Sequence, residues 1–388
     1  MAPKIPRDRS DDYTREAAAA RRRFAAEQAG ASLEHVGSFS LDPASLPGNI
    51  EHFTGVAQVP IGLAGPLLVD GEHARGEFYV PLATTEGTLV ASYNRGMKLL
   101  HAAGGVRVTV VEDHMQRAPA FPMDDARGAR ALRDWIAERF GEIAEAAQAT
   151  TSVGVLERIE TYVAGRFLYC RFDYSTGDAA GQNMTGKATW AACEWIKANY
   201  DAVREYQLEA QLATDKKHSH INTLMTRGKR VVAEVTIPDE LLREQMNTSS
   251  RALFDARQIS HLGARLAQTV NNGAHAANAL AAIFIATGQD AANVAESHAG
   301  LVHVELREND DYYYSITLPS LIVATHGGGT GLATQRECLE LLGCVGPGTA
   351  VKLAEIMAAT VLCGELSLGS AIVADEWVEA HDKHGRNR

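Results

Sequence analysis

The stretch Thr84-Thr85-Glu86-Gly87 constrains the fold most strongly, because it joins a polar turn to an apolar helix. Behind it, apolar side chains recur at helical spacing until two glycines end the run: Leu89, Val90, Tyr93, Met97 and Leu100, then Gly104 and Gly105. This pattern predicts a helix whose first turn contains Glu86. The helix dipole stabilises a carboxylate there, so Glu86 taken alone is an ordinary N-terminal acid.

The composition predicts a soluble globular protein with two domains, because 388 residues that are 46% hydrophobic can bury a sizeable core. The net charge of −11 argues against nucleic acid as the main partner. Five scattered cysteines without a C-x-x-C pair fit a reducing compartment. The charged N-terminus differs from a signal peptide, and the longest apolar stretch, near residues 276–287, is too short to span a bilayer. We therefore expect a cytoplasmic protein without a membrane segment.

The middle of the chain predicts a small inserted domain. Its elements are a strand, a helix, a hairpin and a second helix, at residues 106–111, 124–147, 153–162 with 166–174, and 182–199. That order is the split pattern of a ferredoxin-like unit. The turn from Gly177 to Met184 offers free backbone N–H groups at the start of the second helix, which favour an anion. No G-x-G-x-x-G follows a strand, so an ordinary Rossmann fold is not predicted.

Two charged positions stand out in the second half of the chain. Lys216 belongs to a polar segment, where lysines are usually solvated, and a catalytic role would require its burial beside a reacting oxygen. Asp290 lies just past a helix of small and apolar residues that Gly288 ends. Because a helix C-terminus disfavours an anion, we expect Asp290 to have a raised pKa or a nearby cation.

The last hundred residues contain a glycine-rich loop, a helix and a histidine-bearing terminus. The loop at residues 325–331 follows a strand-like run and lets the backbone approach a ligand closely. A helix rich in Ala, Leu and Met is predicted at about residues 348–363. His381 and His384 flank Asp382, but nothing supplies a third ligand, so no metal site is expected.

Taken together, seven motifs resemble the 3-hydroxy-3-methylglutaryl-CoA reductases, the NAD(P)H-dependent family that makes mevalonate. They occur in the family's order and at its intervals over roughly residues 15–388: Pro60-Ile61-Gly62-Leu63-Ala64-Gly65-Pro66, Ala83-Thr84-Thr85-Glu86-Gly87, Asp178 to Met184, Asp215-Lys216-Lys217, His275-Ala276-Ala277-Asn278, Gly288-Gln289-Asp290 and Gly327-Gly328-Gly329-Thr330. The pattern is closer to the soluble catalytic part of the first class of this family.

The resemblance implies an α+β fold. A large α/β domain, residues 51–118 and 208–388, would surround a long central helix, and a helical arm, residues 1–50, would precede it. A small ferredoxin-like domain, residues 119–207, would be inserted to bind the cofactor, NADPH or NADH. The resemblance further implies a homodimer or larger assembly with active sites between subunits, and an acyl-CoA substrate that brings coenzyme A.

The resemblance also assigns roles to single residues. The implied catalytic residues are Glu86, Lys216, Asp290 and His381. The implied substrate-binding residues are Arg117, Lys217 and Asn278, with Asn94, Arg95 and His275 for coenzyme A. The implied cofactor-binding residues are Asp178, Ala179, Gly181, Asn183, Met184, Thr151, Ser152, Gly327 and Gly328.

The implied chemistry takes a thioester to an alcohol by two hydride transfers, with a thiol leaving between them. Each hydride places negative charge on the carbonyl oxygen, which Lys216 would stabilise. Glu86 would then protonate that oxygen if its pKa is raised. His381 would protonate the leaving thiolate, since a histidine titrates near ~6.5.

Four residues depart from the family pattern at positions that bind substrate or cofactor. The family's serine and lysine that help to bind the substrate's carboxylate are here Glu209 and Ile259, although Arg117 remains. The family's Ser-Arg pair for the 2′-phosphate of NADPH is here Thr151-Ser152, which predicts weak discrimination between cofactors or a preference for NADH. Two alternatives therefore stay open: a reductase of another acyl-CoA or carrier-bound thioester, and a non-catalytic acyl-CoA-binding relative.

Overall fold

The computed structural model describes residues 3–269, 271–376 and 378. This part of the chain contains nine strands and twelve α-helices. The strands are β1 (Ile61–Gly71), β2 (Arg75–Ala83), β3 (Val106–Arg117), β4 (Ala120–Pro122), β5 (Val155–Ala164), β6 (Phe167–Ser175), β7 (Gly228–Ile237), β8 (Leu301–Leu306) and β9 (Tyr312–Leu321). The helices are α1 (Arg15–Ala29), α2 (Leu89–Ala102), α3 (Ala126–Glu138), α4 (Phe140–Gln148), α5 (Gln182–Asn199), α6 (His220–Met225), α7 (Asp239–Met246), α8 (Ser250–Leu266), α9 (Ala276–Thr287), α10 (Val294–Ser297), α11 (Ala333–Leu341) and α12 (Thr349–Val373).

Strand β3 belongs to two sheets. Its first part pairs with β1 and β7 in the large sheet, whose order is β2-β1-β3-β7-β9-β8. Its last residues, 115–117, pair with β6 in a small antiparallel sheet that also contains β4 and β5. One continuous strand therefore joins the two halves of the molecule.

The small sheet follows the predicted order of helix, hairpin and helix, but the strand expected to open it, residues 106–111, pairs with β1 and β7 in the large sheet. Helices α3 and α4 lie between β4 and β5, and α5 follows the β5–β6 hairpin. After α5 the chain returns to this sheet through an antiparallel bridge between Ala120 and Gln207, where a ferredoxin-like unit would have its last strand. The helix expected at 124–147 is two helices, because Arg139 leaves the helical conformation (φ −105°, ψ 19°). The predicted α+β class is confirmed. The strands form two sheets that share β3.

Two hydrophobic cores lie on either side of this junction. The larger packs the main sheet against α2, α9 and α12, and the smaller packs β5 and β6 against α3, α4 and α5. A third, small cluster docks the N-terminal arm, where the buried guanidinium of Arg21 donates to the carbonyl of Phe53 at 2.8 Å. These separate cores support the domain boundaries predicted from the sequence, and we propose those boundaries for this protein.

Helix α12 is the long central helix, and the sequence-based prediction ended it ten residues too early. It continues through Gly364 and Gly369 to Val373, because its middle is buried on all sides. By length and apolar composition α12 would suffice to cross a membrane, yet 78% of its apolar window is buried inside the protein. The statement that residues 276–287 form the longest apolar stretch is therefore wrong, and α12 serves as a core helix.

Glycines let α2 and α12 approach closely. A Cβ at Gly96 would lie 2.0 Å from the carbonyl oxygen of Cys363, and one at Gly364 would lie 2.3 Å from the ring of Tyr93. By contrast, a Cβ at Gly369 of the same helix would meet no atom of the described residues within 4 Å. The crossing therefore depends on Gly96 and Gly364, whereas Gly369 is not required by packing.

We predict that Gly96→Ala destabilises the protein by about 2–4 kcal/mol, because the backbone of α12 cannot yield as a flexible side chain would. The matched control is Gly369→Ala, which should stabilise by up to about 1 kcal/mol through helix propensity. Urea unfolding of both variants measures the difference. Equal stability of the two variants would contradict the close crossing.

Candidate active site

Gln182, the first residue of α5, joins three separate segments. Its side-chain amide donates to the carboxylate of Asp215 at 3.1 Å and to the side-chain oxygen of Asn293 at 3.0 Å. Its carbonyl accepts from the guanidinium of Arg117 at 2.9 Å. The loop before α5, the Lys216 loop and the loop after α9 therefore meet at one place. Gln182 belongs to the motif Asp178 to Met184, but its sequence context does not predict this bridging role.

Lys216 and Asp290 form an ion pair at this place. The ammonium of Lys216 lies 2.8 Å from the carboxylate of Asp290. The hydrogen bond that the ammonium donates to this carboxylate outweighs the smaller effect of burial, raises the pKa of Lys216 and keeps it charged. The cation expected beside Asp290 is confirmed. The burial required of Lys216 is not found, since the two side chains are 43% and 42% exposed, and the pair faces an open surface.

A buried charge cluster lies directly beneath the pair. Arg227 and Glu296, both fully buried, form an ion pair at 2.6 Å, and Arg227 also contacts Asp215 at 2.9 Å. Burial raises the pKa of Glu296 to about 7, although Arg227 opposes this rise. The backbone N–H of Lys216 donates to Glu296 at 3.0 Å. Sequence reasoning did not identify Arg227 or Glu296, because an isolated charged residue carries no local signal of burial.

Asp178 ties the predicted cofactor loop to the central helix. Its carboxylate accepts from the backbone N–H groups of Gly348 (2.7 Å) and Ala350 (2.9 Å) at the start of α12. Burial acts against the anion, but these hydrogen bonds prevail and lower the pKa of Asp178. Its carbonyl accepts from the N–H groups of Thr325 and His326. The Asp178 carboxylate thus acts as a helix cap, and its loop lies against the glycine-rich loop.

The glycine-rich loop in turn packs on the segment that carries Asp290. A Cβ at Gly288 would lie 2.3 Å from the carbonyl oxygen of Gly329, so the two backbones are in close contact. Gln289 exchanges hydrogen bonds with the backbone of Ala324 at 2.7 and 2.9 Å. Gly327 and Gly328 both have positive φ and are exposed, at 81° and 57°. The structure therefore brings 327–328, 178–182, 216 and 290 together.

The other predicted cofactor residues lie at the start of α5 and in the loop after α4. Gly181 has φ 81°, and Asn183 is exposed in the first helical turn. The hydroxyl of Thr151 accepts from the N–H groups of Val153 and Gly154 and lies 3.1 Å from the sulfur of Met184. Ser152 is exposed next to it, and Ala179 is half-buried before α5. These residues outline one edge of the small domain that leads to Gln182.

A second group of predicted residues surrounds the start of α9. The buried ring of His275 lies 2.8 Å from the hydroxyl of Tyr93, and burial lowers the pKa of this histidine. The backbone N–H of His275 donates to the buried carboxylate of Glu365 at 2.6 Å. The guanidinium of Arg95 donates to the carbonyl of Ser367 and pairs with Glu376 at 3.0 Å. Tyr93 and Glu365 were not predicted to contribute here.

Asn94 and Asn278 complete this second group. The side chain of Asn94 accepts from the N–H of Gly65 at 2.8 Å and so holds the loop at β1. Asn278 lies half-buried in the first turn of α9, one turn after His275. The twelve residues of α9 separate this group from Asp290. At ~1.5 Å per residue the two groups are about 18 Å apart along the helix.

Comparison with known proteins decides the family. The model of the hydroxymethylglutaryl-coenzyme A reductase family matches residues 17–386 of this chain. The chain belongs to this family. The 3-hydroxy-3-methylglutaryl-coenzyme A reductase of Methanocaldococcus jannaschii is 42% identical over 373 residues, covering 94% of this chain and 92% of that protein. The reductase of Aeropyrum pernix is 45% identical over 379 residues, with coverages of 96% and 90%.

Solved structures agree on the fold. The class II 3-hydroxy-3-methylglutaryl-CoA reductase from Streptococcus pneumoniae, bound to NADPH in open conformations, superposes with a TM-score of 0.69. The match covers 94% of this chain and 99% of that chain, at 22% sequence identity. Family membership confirms the predicted family, and with it the predicted enzyme class of a hydroxymethylglutaryl-coenzyme A reductase.

Glu86 and His381 are the predicted catalytic residues outside the Lys216–Asp290 pair. Glu86 does not lie in a helical first turn, because Thr88 adopts φ 71° and α2 begins at Leu89. Its side chain is exposed, and its N–H donates to the hydroxyl of Thr84 at 3.0 Å. His381 lies outside the described residues. Lys217 is exposed, with its ammonium 3.0 Å from the carbonyl of Asp215.

Proposed function

We propose that this chain reduces the thioester of 3-hydroxy-3-methylglutaryl-CoA to the primary alcohol mevalonate and releases coenzyme A. Two equivalents of NADPH or NADH each supply a hydride, two protons are consumed, and the thiol leaves after the first hydride transfer. Family membership supports this reaction. The observation that carries the site assignment is the Lys216–Asp290 ion pair at 2.8 Å, where four loops meet.

In this proposal Lys216 acts electrostatically. Each hydride addition converts a carbonyl oxygen into an oxyanion, and a fixed ammonium next to that oxygen stabilises the developing charge. Asp290 holds the ammonium in place and keeps it protonated. Glu86 is the proposed proton donor to the oxygen, and His381 the proposed donor to the thiolate.

The coenzyme A portion is assigned to the second group. His275 presents a neutral ring held by Tyr93, while Asn94 shapes the Gly65 loop. Arg95 is already paired with Glu376 and Ser367 and contributes by orienting α2 against α12. The separation of about 18 Å between this group and Asp290 suits a long, extended carrier such as coenzyme A.

The first turn of α5 fits an anionic nicotinamide cofactor. Gly181 adopts φ 81°, and a Cβ there would lie 2.3 Å from the Thr176 side chain, so only glycine allows this tight entry. The N–H groups that follow point out of an eighteen-residue helix, which favours a phosphate. When bound, the cofactor supplies the hydride. Asn183, Met184, Thr151 and Ser152 line the approach, and Ala179, Gly327 and Gly328 extend it.

Two candidate arginines for a 2′-phosphate, Arg158 and Arg166 of the β5–β6 hairpin, are engaged in other contacts. Arg158 pairs with Asp173 at 2.5 Å and with Glu160 at 3.4 Å. Arg166 donates to the carbonyl of Met123 and stacks on Phe167. An unengaged arginine fork is the usual partner of such a phosphate. These contacts support weak discrimination between the two cofactors, or a preference for NADH.

A second candidate function is favoured by one ion pair. The guanidinium of Arg117, the proposed partner of the substrate's free carboxylate, lies 2.9 Å from Glu209 of the same chain. Both side chains are largely buried, so this internal anion competes with an acid on the substrate. Ile259, at the position of the family's lysine, is 75% exposed on α8 and supplies no cation. A reductase of a thioester that lacks the terminal carboxylate fits this arrangement.

The proposal includes a homodimer or larger assembly with active sites between subunits. The open surface around Lys216 and Glu86 supports a site completed by a second copy. A cytoplasmic location is also proposed, in keeping with five cysteines that are all free and buried.

We predict that Lys216→Ala lowers the rate of thioester reduction by at least ~100-fold, while the dissociation constant for coenzyme A changes little. The reason is that the lost charge acts on the oxyanion and not on the carrier. Lys98→Ala, at an exposed lysine of α2, is the control and should retain full activity. Thiol release and cofactor absorbance provide the rates. Activity within tenfold of the parent would refute the assignment of Lys216.

The cofactor prediction concerns the ratio of kcat/KM for NADPH to kcat/KM for NADH. We expect kcat/KM for NADPH to exceed that for NADH by less than about tenfold, or to fall below it, because a missing charge-assisted fork removes roughly 1.5–3 kcal/mol. Steady-state kinetics with both reduced cofactors measure it. A hundredfold preference for NADPH would show that another cation takes over.

The second candidate function is tested with Glu209→Ser. Removing the anion should free Arg117 and lower KM for 3-hydroxy-3-methylglutaryl-CoA by about tenfold or more, at roughly 1.5–3 kcal/mol for a charge-assisted bond. Thioesters without a terminal carboxylate should gain nothing from this change. If the parent already binds 3-hydroxy-3-methylglutaryl-CoA at micromolar levels and the variant binds it no better, the second candidate function is refuted and the first stands.

A further inference from the structure

Lys216 has a backbone conformation that its side chain does not favour. Its φ is 57°, in the left-handed region where residues other than glycine are uncommon, and Thr214 two residues earlier also has a positive φ, 54°. Such a conformation persists only where surrounding contacts hold it. The contacts that hold this loop therefore decide where the ammonium of Lys216 points.

The backbone of Lys216 is held by Glu296. One carboxylate oxygen, Oε1, accepts the backbone N–H of Lys216 at 3.0 Å and also accepts from Arg227 at 2.6 Å. Arg227 donates through its other nitrogen to Asp215, the residue before Lys216, at 2.9 Å. The side chains of Glu296 and Arg227 are both fully buried. Two successive residues of the loop are thus fastened to one buried ion pair.

The second carboxylate oxygen shows which contact matters. Within the described residues, Oε2 of Glu296 is buried and has no hydrogen-bond partner. An ion pair whose only task was to fill the interior would be expected to satisfy both oxygens. Here Oε1 of Glu296 alone accepts from both Arg227 and the Lys216 N–H, at the point where the loop turns.

We infer that Glu296 is a positioning residue, which with Arg227 holds the Lys216 backbone so that the ammonium stands against Asp290. The expected change in reaction rate rests on the proposed reduction. The expected change in the position of the Lys216 ammonium rests on geometry alone. Glu296 touches no reacting atom in this scheme. It acts through the backbone of the residue that does.

The test compares three variants. Glu296→Ala removes the acceptor, whereas Glu296→Gln keeps one side-chain oxygen for the Lys216 N–H. Glu355→Ala is the matched control: Glu355 is also a buried carboxylate that accepts three backbone N–H groups, but at the β1–β2 turn, from Glu72, His73 and Ala74. All three variants remove or replace a buried carboxylate, and only Glu296→Ala should release Lys216.

The first readout does not require activity. Competitive acetylation followed by mass spectrometry reports the free-amine fraction of Lys216, with Lys217 as an internal reference. Release from Asp290 removes the hydrogen bond that raises the Lys216 pKa, so its labelling should rise several-fold in Glu296→Ala. Labelling should stay at the parental level in Glu296→Gln and Glu355→Ala.

The second readout is the kinetic split. Glu296→Ala should lower kcat about 100-fold, as expected for a misplaced catalytic group, with KM values within about threefold of the parent. Glu296→Gln should restore most of kcat. If the parent reduces no thioester, the proposed function fails and the labelling alone decides the inference.

The outcomes are distinct. Unchanged Lys216 labelling in Glu296→Ala, or an equal rise in Glu355→Ala, overturns the inference, because a general loosening of the fold would then explain the data. Should Glu296→Ala not fold, Glu296→Asp withdraws the carboxylate by one methylene and should show the same rise at Lys216. Unchanged labelling in a folded Glu296→Asp would equally overturn the positioning role.

Discussion

Buried carboxylates that accept backbone N–H groups hold the structure together at its turns. Glu355 and Glu365, both inside the core on α12, accept from the β1–β2 turn and from the start of α9. Glu296, also buried, does the same at the Lys216 loop, and the partly buried Asp178 does so at the start of α12. An ionised carboxylate is tolerated inside a protein only when oriented dipoles or cations replace water. Each of these acids therefore fixes a loop that nothing in the loop's own sequence would fix.

This dependence explains which parts of the fold could be predicted. The helical spacing behind Glu86 gave α2, and alternation and turn residues gave the β5–β6 hairpin and α5. The prediction of α12 ended too soon at Gly364, because local helix propensity weighs against glycine. In the folded protein, burial on all sides and the tight crossing with Tyr93 override that propensity.

The site was predictable to a similar degree. The position of Asp290 after a helix C-terminus predicted a cation beside it from electrostatics alone, and that cation is Lys216. Gln182, Arg227 and Glu296 could not be found in this way. Their roles arise from contacts between segments as far apart as 111 residues, and single-sequence patterns report only local geometry. The exposure of Glu86 could not be predicted either, since the surroundings of a side chain are set by tertiary packing.

Strand β3 places a mechanical limit on any movement of the two sheets. Because one unbroken strand pairs in both, neither half can translate away from the other without breaking its ladder. The permitted motion is a bend or twist within the strand, and the irregularity between Val110 and Glu112, where the pairing with β7 shifts by one residue, is the natural pivot. A rotation at this irregularity would therefore turn the small sheet, together with α5 that packs on it, against the large sheet without separating them.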